Sequence, residues 1–108
     1  VLFTGSTNGA ITLEKSVEEF KYIEIFYADN DETYSSVKVF EPNNKYVDLT
    51  TLARWGNTFY IKQKRILISG EKITNGNTTE AQFTATPKIT INTTANNINV
   101  TKIIGYIE

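Results

Sequence analysis

Two runs of alternating residues, joined by a short acidic segment, constrain the fold of this chain more than any other feature. Within residues 20–27, Ile23 and Ile25 flank Glu24, and within residues 33–40, Val37 and Val39 flank Lys38. An alternation with period two places every second side chain on the same face of a β-strand. Acidic residues and Asn between such runs are typical of a turn. The sequence therefore predicts a central β-hairpin. The side chains predicted to be buried in it are Ile23, Ile25, Val37 and Val39.

The rest of the chain repeats this pattern of short apolar segments separated by turns. The further predicted segments are residues 1–4, 11–13, 46–52, 58–64, 65–70, 81–86, 89–92 and 98–107. Residues 14–19 are expected to form a connection with one helical turn, residues 41–45 a turn containing Pro42, and Asn75–Gly76 a hairpin turn at the start of a long polar loop. Because no stretch sustains a 3.6-residue apolar period, the predicted fold class is all-β, a single antiparallel β-sandwich or jelly-roll-like domain.

Length and composition limit the classes of function. With 108 residues, the chain is expected to be a single domain, and a chain of this size buries roughly 65% of its unfolded surface. The sequence has no Cys and no His, and its formal net charge is -1. The absence of these side chains removes thiolate metal sites, disulfides and the Ser-His-Asp triad. The near-neutral charge argues against nucleic acid, and no apolar run approaches the ~20 residues of a membrane span.

The acidic turn is a candidate calcium site, because Asp29, Asp31 and Glu32 offer the hard oxygen ligands that calcium prefers. The segment lacks the glycine and the distant bidentate Glu of an EF-hand loop, and acidic residues also simply solvate turns. A carboxylate pair for glycoside hydrolysis could come from Glu24, Glu41 and Asp48, but nothing in their spacing selects a pair. We therefore expect no catalytic residues, no metal and no cofactor, and we predict that the domain is not an enzyme.

The single tryptophan is the best candidate for a ligand-binding residue. Trp55 lies between Arg54 and Gly56–Asn57 in a predicted loop, and Phe59 and Tyr60 follow on the next strand. A large rigid ring can stack on a sugar at little cost in conformational entropy, and loops tolerate binding residues without disturbing a core. The alternative is that Trp55 fills the core of the sandwich. The predicted ligand-binding residues are Trp55, Tyr60, Arg54 and Asn57.

Three basic residues lie close together at Lys62, Lys64 and Arg65. They are too few to form the basic stripe of a nucleic-acid-binding surface. The pattern instead favours the solvent side of a strand or its edge, where lysine discourages pairing between sheets.

Parts of the sequence resemble a recurring module of bacteriophages. Four segments carry most of the resemblance: Ile11–Leu13, Phe20–Tyr27, Ser35–Phe40 and Pro42–Lys45. The chain resembles the C-terminal domain of minor structural proteins from the tails and baseplates of phages that infect Gram-positive bacteria. A looser similarity extends to residues 65–70 and 101–106, whereas residues 75–95 show no similarity.

This resemblance implies a location on the virion, in a tail or baseplate appendage exposed to the extracellular medium. It also implies that residues 1–108 are the excised C-terminal module of a longer protein. That protein is expected to form a homotrimer and to contact other tail or baseplate proteins. The implied function is host adsorption through cell-wall polysaccharide. The alternatives are a purely structural docking or trimerisation domain of the appendage, and a carbohydrate-binding module of a cell-wall hydrolase.

Overall fold

The computed structural model contains two antiparallel sheets packed face to face, which confirms the predicted β-sandwich. It describes residues 1–29, 33–55, 58–83, 89–95 and 98–107, without the side chains of 53–55, 75–77 and 89–95. The strands are β1 (Phe3–Thr7), β2 (Ile11–Thr12), β3 (Tyr22–Asp29), β4 (Tyr34–Phe40), β5 (Lys45–Trp55), β6 (Thr58–Ser69), β7 (Lys72–Phe83), β8 (Ile89–Ala95) and β9 (Ile98–Tyr106). A 3₁₀ helix at Val17–Glu19 provides the predicted helical turn. None of the described residues forms a helix long and apolar enough to cross a membrane.

The chain passes repeatedly between the two sheets. The four-stranded sheet has the order β1-β9-β3-β4, and the five-stranded sheet has the order β2-β7-β6-β5, with β8 also pairing with β7. The predicted hairpin is β3 and β4, and its register pairs Ile23 with Val39 and Ile25 with Val37. Since β3 also pairs with β9, it lies inside its sheet, whereas β4 forms an edge.

Alternation places the apolar side chains of both sheets in a shared core. Ile23 and Ile25 are fully buried, Val39 is buried, and Val37 is partly buried against the same cluster. On the opposite sheet, Ile66 and Ile68 are fully buried, while the intervening Leu67 is partly exposed. The hairpin is therefore confirmed as a principal contributor to the core. The other buried apolar residues of the cluster are Leu2, Ile11, Leu13, Val17, Tyr27, Leu49, Ile73, Ile98, Val100 and Ile103.

The five-stranded sheet has longer strands than the sequence predicts. Residues 58–64 and 65–70 form one strand, β6, and the turn after it lies at Gly70, whose φ is 59°. Asn75–Gly76 lies within β7, so the predicted hairpin turn there is wrong. The register shifts between Lys64 and Ile66, whose partners on β7 are Thr78 and Asn75. One extra residue of β7 is accommodated there, so the Asn-Gly pair marks a β-bulge.

The prediction that Lys62 and Lys64 lie on the solvent side is also wrong. Lys62 is 2% exposed and Lys64 is fully buried, whereas the Arg65 side chain is 66% exposed. The reason is the parity of the strand, because Lys62 and Lys64 alternate in step with the buried Ile66. Their charged ends reach polar groups between the sheets instead of water.

Candidate ligand-binding surface

Three of the four predicted ligand-binding residues, Arg54, Trp55 and Tyr60, lie in the described parts of β5 and β6. Arg54 and Trp55 belong to the end of β5 and not to a loop, since the backbone of Trp55 pairs with Thr58. Tyr60 is half-buried on β6, and Asn57 lies outside the described residues. Phe59 and Tyr60 are consecutive on one strand, so their side chains point to opposite faces and cannot form a single aromatic platform. The role of Trp55 in binding stays a prediction.

A row of three aromatic side chains crosses the outer face of the four-stranded sheet, where the sequence did not indicate a site. Tyr22 on β3 lies between Phe40 on β4 and Tyr106 on β9, in both cases as a directly paired residue. The ring centroids of Tyr22 and Tyr106 are 4.7 Å apart with planes 11° apart, and those of Tyr22 and Phe40 are 4.9 Å apart. The rings of Tyr22 and Tyr106 are therefore stacked, whereas those of Tyr22 and Phe40 are tilted by 31°. Aromatic contacts of this kind between paired strands stabilise a sheet.

Phe40 ends this row and is the ring best placed to contact a ligand. It is 55% exposed, and because β4 is the edge of its sheet, no further strand of that sheet covers the side away from Tyr22.

Polar groups surround the row of aromatic side chains. The Glu24 carboxylate accepts hydrogen bonds from Ser36 Oγ at 3.0 Å and from Tyr106 Oη at 3.5 Å. Burial, followed by the negative charge of Glu24, raises the pKa of Tyr106 above its ordinary value.

Next to Phe40, the 3₁₀ helix and the β4–β5 turn enclose a depression of about 420 Å³. We call it the turn depression. Its lining residues are Val17, Glu18, Phe20, Glu41, Pro42, Asn43 and Lys45. Val17 and Pro42 are buried and Phe20 is half-buried, so the floor is apolar, while the remaining side chains form a polar rim. An apolar floor with a few polar groups around it is the usual composition of a small-ligand site.

Hydrogen bonds fix the rim of the turn depression before any ligand binds. Asn43 donates through Nδ2 to Glu18 Oε1 at 2.9 Å, and its Oδ1 accepts from the Gly70 N–H at 2.8 Å. Lys45 Nζ donates to the carbonyl oxygen of Phe40 at 2.7 Å. A rim held in this way loses little conformational entropy when it binds a ligand. Further donors of the Lys45 ammonium and the second oxygen of Glu18 can still bind hydroxyl groups.

The backbone of the β4–β5 turn adopts positive φ angles at two residues that are not glycine. The φ of Glu41 is 47° and that of Asn44 is 58°. Asn tolerates the left-handed region well, but Glu does not share this preference. Strained positions of this kind concentrate at functional sites. The strain at Glu41 therefore adds to the evidence for the turn depression, because it holds that residue on the rim.

The outer face of the five-stranded sheet carries an exposed apolar group. Leu52 pairs with Ile61, which pairs with Ala81, and Phe59 pairs with Phe83. Leu52 is 61% exposed, Phe59 44% and Ile61 38%. At the other end of this face, Arg65 and Asp48 form an ion pair, and the hydrogen bond from Arg65 holds the pKa of Asp48 below its usual value. These adjoining apolar side chains form a group that the described strands leave exposed on this face.

Of the three acidic residues of the candidate calcium site, the structure describes only Asp29. Asp29 ends β3 and is buried, where its carboxylate accepts a hydrogen bond from Thr51 Oγ1 at 2.9 Å. Asp31 and Glu32 lie outside the described residues. Across the part of the chain that the structure describes, no group of three acidic side chains could hold a metal ion.

Comparison of the chain with protein-family models, with curated proteins and with solved structures found no match. The resemblance to phage appendage domains accordingly stays a prediction from the residue patterns, in which residues 11–45 are the most specific part. The β3–β4 hairpin and the β4–β5 turn fall within that segment.

Proposed function

We propose that this domain is a noncatalytic adsorption module of a phage tail or baseplate appendage, and that it binds saccharide on the surface of the host cell. The observation that supports the proposal is the turn depression, which lies at the end of β4 that carries the exposed Phe40. Saccharides combine weakly apolar ring faces with many hydroxyl groups. Phe40 and the apolar floor suit the ring faces, while the fixed polar rim suits the hydroxyl groups.

The expected affinity of one domain is low. Covering the exposed half of Phe40 contributes about 1 kcal/mol, roughly half the value for fully burying such a side chain. A few hydrogen bonds to the rim add about 1 kcal/mol each. Such contacts give a weak single interaction, so adsorption depends on several copies per particle, which raise the avidity. The trimer implied by the resemblance meets that need.

Binding of a multimerised domain to purified cell-wall polysaccharide tests this function. Phe40→Ala is expected to weaken binding about fivefold, equivalent to ~1 kcal/mol, while the fold stays intact because the ring is exposed. Tyr34→Ala is the matched control, since Tyr34 is an aromatic residue at the opposite end of the same strand and is 73% exposed. Equal binding by both variants would remove Phe40 from the site. No binding by the unaltered domain would contradict the function itself.

A structural docking role is the second candidate, and the exposed apolar group on the five-stranded sheet favours it. Contact with a neighbouring appendage protein would cover Leu52, Phe59 and Ile61. Leu52→Lys is expected to reduce incorporation of the domain into assembled particles, whereas Tyr34→Lys on the other sheet is expected to leave it unchanged. Normal incorporation of the Leu52→Lys variant would argue against docking through this face.

A further inference from the structure

Three ionisable side chains meet between the sheets at the end of the sandwich opposite the turn depression. Asp29 ends β3, Lys62 lies on β6 and Glu80 lies on β7. Lys62 Nζ is 3.6 Å from Asp29 Oδ2 and 3.8 Å from Glu80 Oε2. The Asp29 side chain is fully buried, that of Lys62 is 2% exposed and that of Glu80 is 12% exposed. An amine and two carboxyl groups are thus held together away from water.

The surroundings hold the two carboxyl groups in defined positions. Asp29 Oδ1 accepts a hydrogen bond from the Thr33 N–H at 3.0 Å, and Asp29 Oδ2 accepts one from Thr51 Oγ1 at 2.9 Å. Gln82 Nε2 donates to Glu80 Oε1 at 2.7 Å, which leaves Glu80 Oε2 as the oxygen facing Lys62. Groups fixed at such distances react as though present at very high concentration.

Burial also favours the uncharged forms that amide chemistry requires. Removing water penalises an ammonium and a carboxylate strongly, so proton transfer from Lys62 to a carboxyl group becomes less unfavourable. The transfer produces a neutral amine, which is a nucleophile, and a carboxylic acid, which is an electrophile. These are the two reactants for condensation.

We propose that Lys62 and Asp29 condense to form an intramolecular amide bond, with Glu80 carrying the proton. The Lys62 nitrogen attacks Asp29 Cγ and forms the N–Cγ bond. The negative charge that develops on Oδ1 is stabilised by the Thr33 N–H, as in an oxyanion hole. Glu80 removes a proton from the nitrogen and returns it to Oδ2. The Cγ–Oδ2 bond then breaks and one water molecule leaves. An ammonium and a carboxylate become one amide and one water, so no other reactant is required.

The bond joins the four-stranded sheet to the five-stranded sheet, since Asp29 and Lys62 belong to different sheets. Lys64 provides an internal comparison on the same face of β6. Its Nζ donates to the carbonyl oxygens of Asn8 at 3.1 Å and Ile98 at 3.0 Å, and no described carboxylate pairs with it. Lys64 is therefore fixed and buried like Lys62, but among the described residues it has no carboxyl group to attack.

Intact mass spectrometry of the denatured chain tests the proposal directly. The expected mass is lower than the sequence mass by one water. Because trypsin does not cleave after an acylated lysine, the digest is expected to contain residues 22–38 joined to residues 55–64. An intact mass equal to the sequence mass, with separate peptides 22–38 and 55–62, would overturn the proposal and leave only an ion pair.

Three variants separate this bond from other losses of water. Lys62→Arg keeps the positive charge but cannot form the bond, so its mass is expected to equal its sequence mass. Glu80→Gln keeps both reacting groups and is expected to show mostly unjoined chain. Lys64→Met is the control and is expected to keep the loss of water. A loss that persists in Lys62→Arg would assign it to another reaction, such as cyclisation at an aspartate, and would also overturn the proposal.

Discussion

Replacing Gly105 by alanine tests how closely Phe20 packs at the apolar end of the sandwich. A Cβ atom at position 105 would lie 2.6 Å from Phe20 Cδ1 and 2.7 Å from its Cγ. Carbon atoms in contact prefer a separation of ~3.5–4.0 Å, so the ring or β9 must shift by about 1 Å. Because Cγ is attached directly to Cβ of Phe20, rotation of the ring about its own axis cannot relieve this contact.

The free energy of unfolding is expected to fall by about 1–3 kcal/mol, the usual effect of overpacking. For a domain of this size, each kcal/mol lowers the melting temperature by roughly 4–8 °C. Phe20 packs against the core and lines the turn depression, so the variant is also expected to bind saccharide more weakly. Thermal and urea unfolding followed by circular dichroism measure the loss of stability.

Two further variants identify the cause. Gly9→Ala is the control, since its Cβ would meet only Thr7 Oγ1 at an ordinary 3.6 Å, and its stability is expected to stay within about 0.5 kcal/mol of the original. In a Phe20→Ala background, Gly105→Ala is expected to lose most of its effect, because the clashing ring is absent. Additive effects of the two substitutions would refute the assignment of the clash to Phe20.

Three other predictions concern the core, a buried lysine and the tryptophan. Ile25→Ala is expected to lower the free energy of unfolding by about 2–5 kcal/mol because Ile25 is fully buried, whereas Leu52→Ala on the exposed face should change it by less than about 0.5 kcal/mol in urea melts. Burial lowers the pKa of Lys64 in the folded protein. At pH values between this lowered pKa and the ordinary pKa of lysine, the unfolded chain binds more protons than the folded protein, so the free energy of unfolding should rise with pH. Lys64→Met should remove this rise. Trp55→Ala is expected to keep the fold while lowering binding of a multimeric form to host cells; an unfolded variant would place Trp55 in the core, and unchanged binding with an intact fold would remove it from the site.

The sequence predicts the fold well because alternation is a local signal. Ile23 and Ile25 flank Glu24, and this short pattern suffices to identify a strand and its buried face. The Asn75–Gly76 error has a physical cause as well. An Asn-Gly pair favours positive φ angles, which suit a hairpin turn and a β-bulge equally well. Which of the two forms depends on whether the partner strand continues to pair beyond it, as β6 does here.

The row of three aromatic side chains was harder to predict because it depends on pairing between distant strands. Tyr22, Phe40 and Tyr106 are far apart in sequence, and only the register of β3 with β4 and β9 brings them into one row. The buried lysines, by contrast, did carry a local signal. Lys62 and Lys64 share the parity of Ile66, but the general preference of lysine for solvent outweighed that alternation in the prediction.

The two ends of the sandwich differ in the chemistry of their buried side chains. Near the turn depression, Val17 and Ile23 are fully buried, and a dry core supports a rigid rim. At the opposite end, Lys62 and Asp29 face each other across the two sheets. Burying each charge costs several kcal/mol, and a well-packed pair of apolar side chains in their place is often more stable. An amide between them would remove both charges while keeping the contact between the sheets.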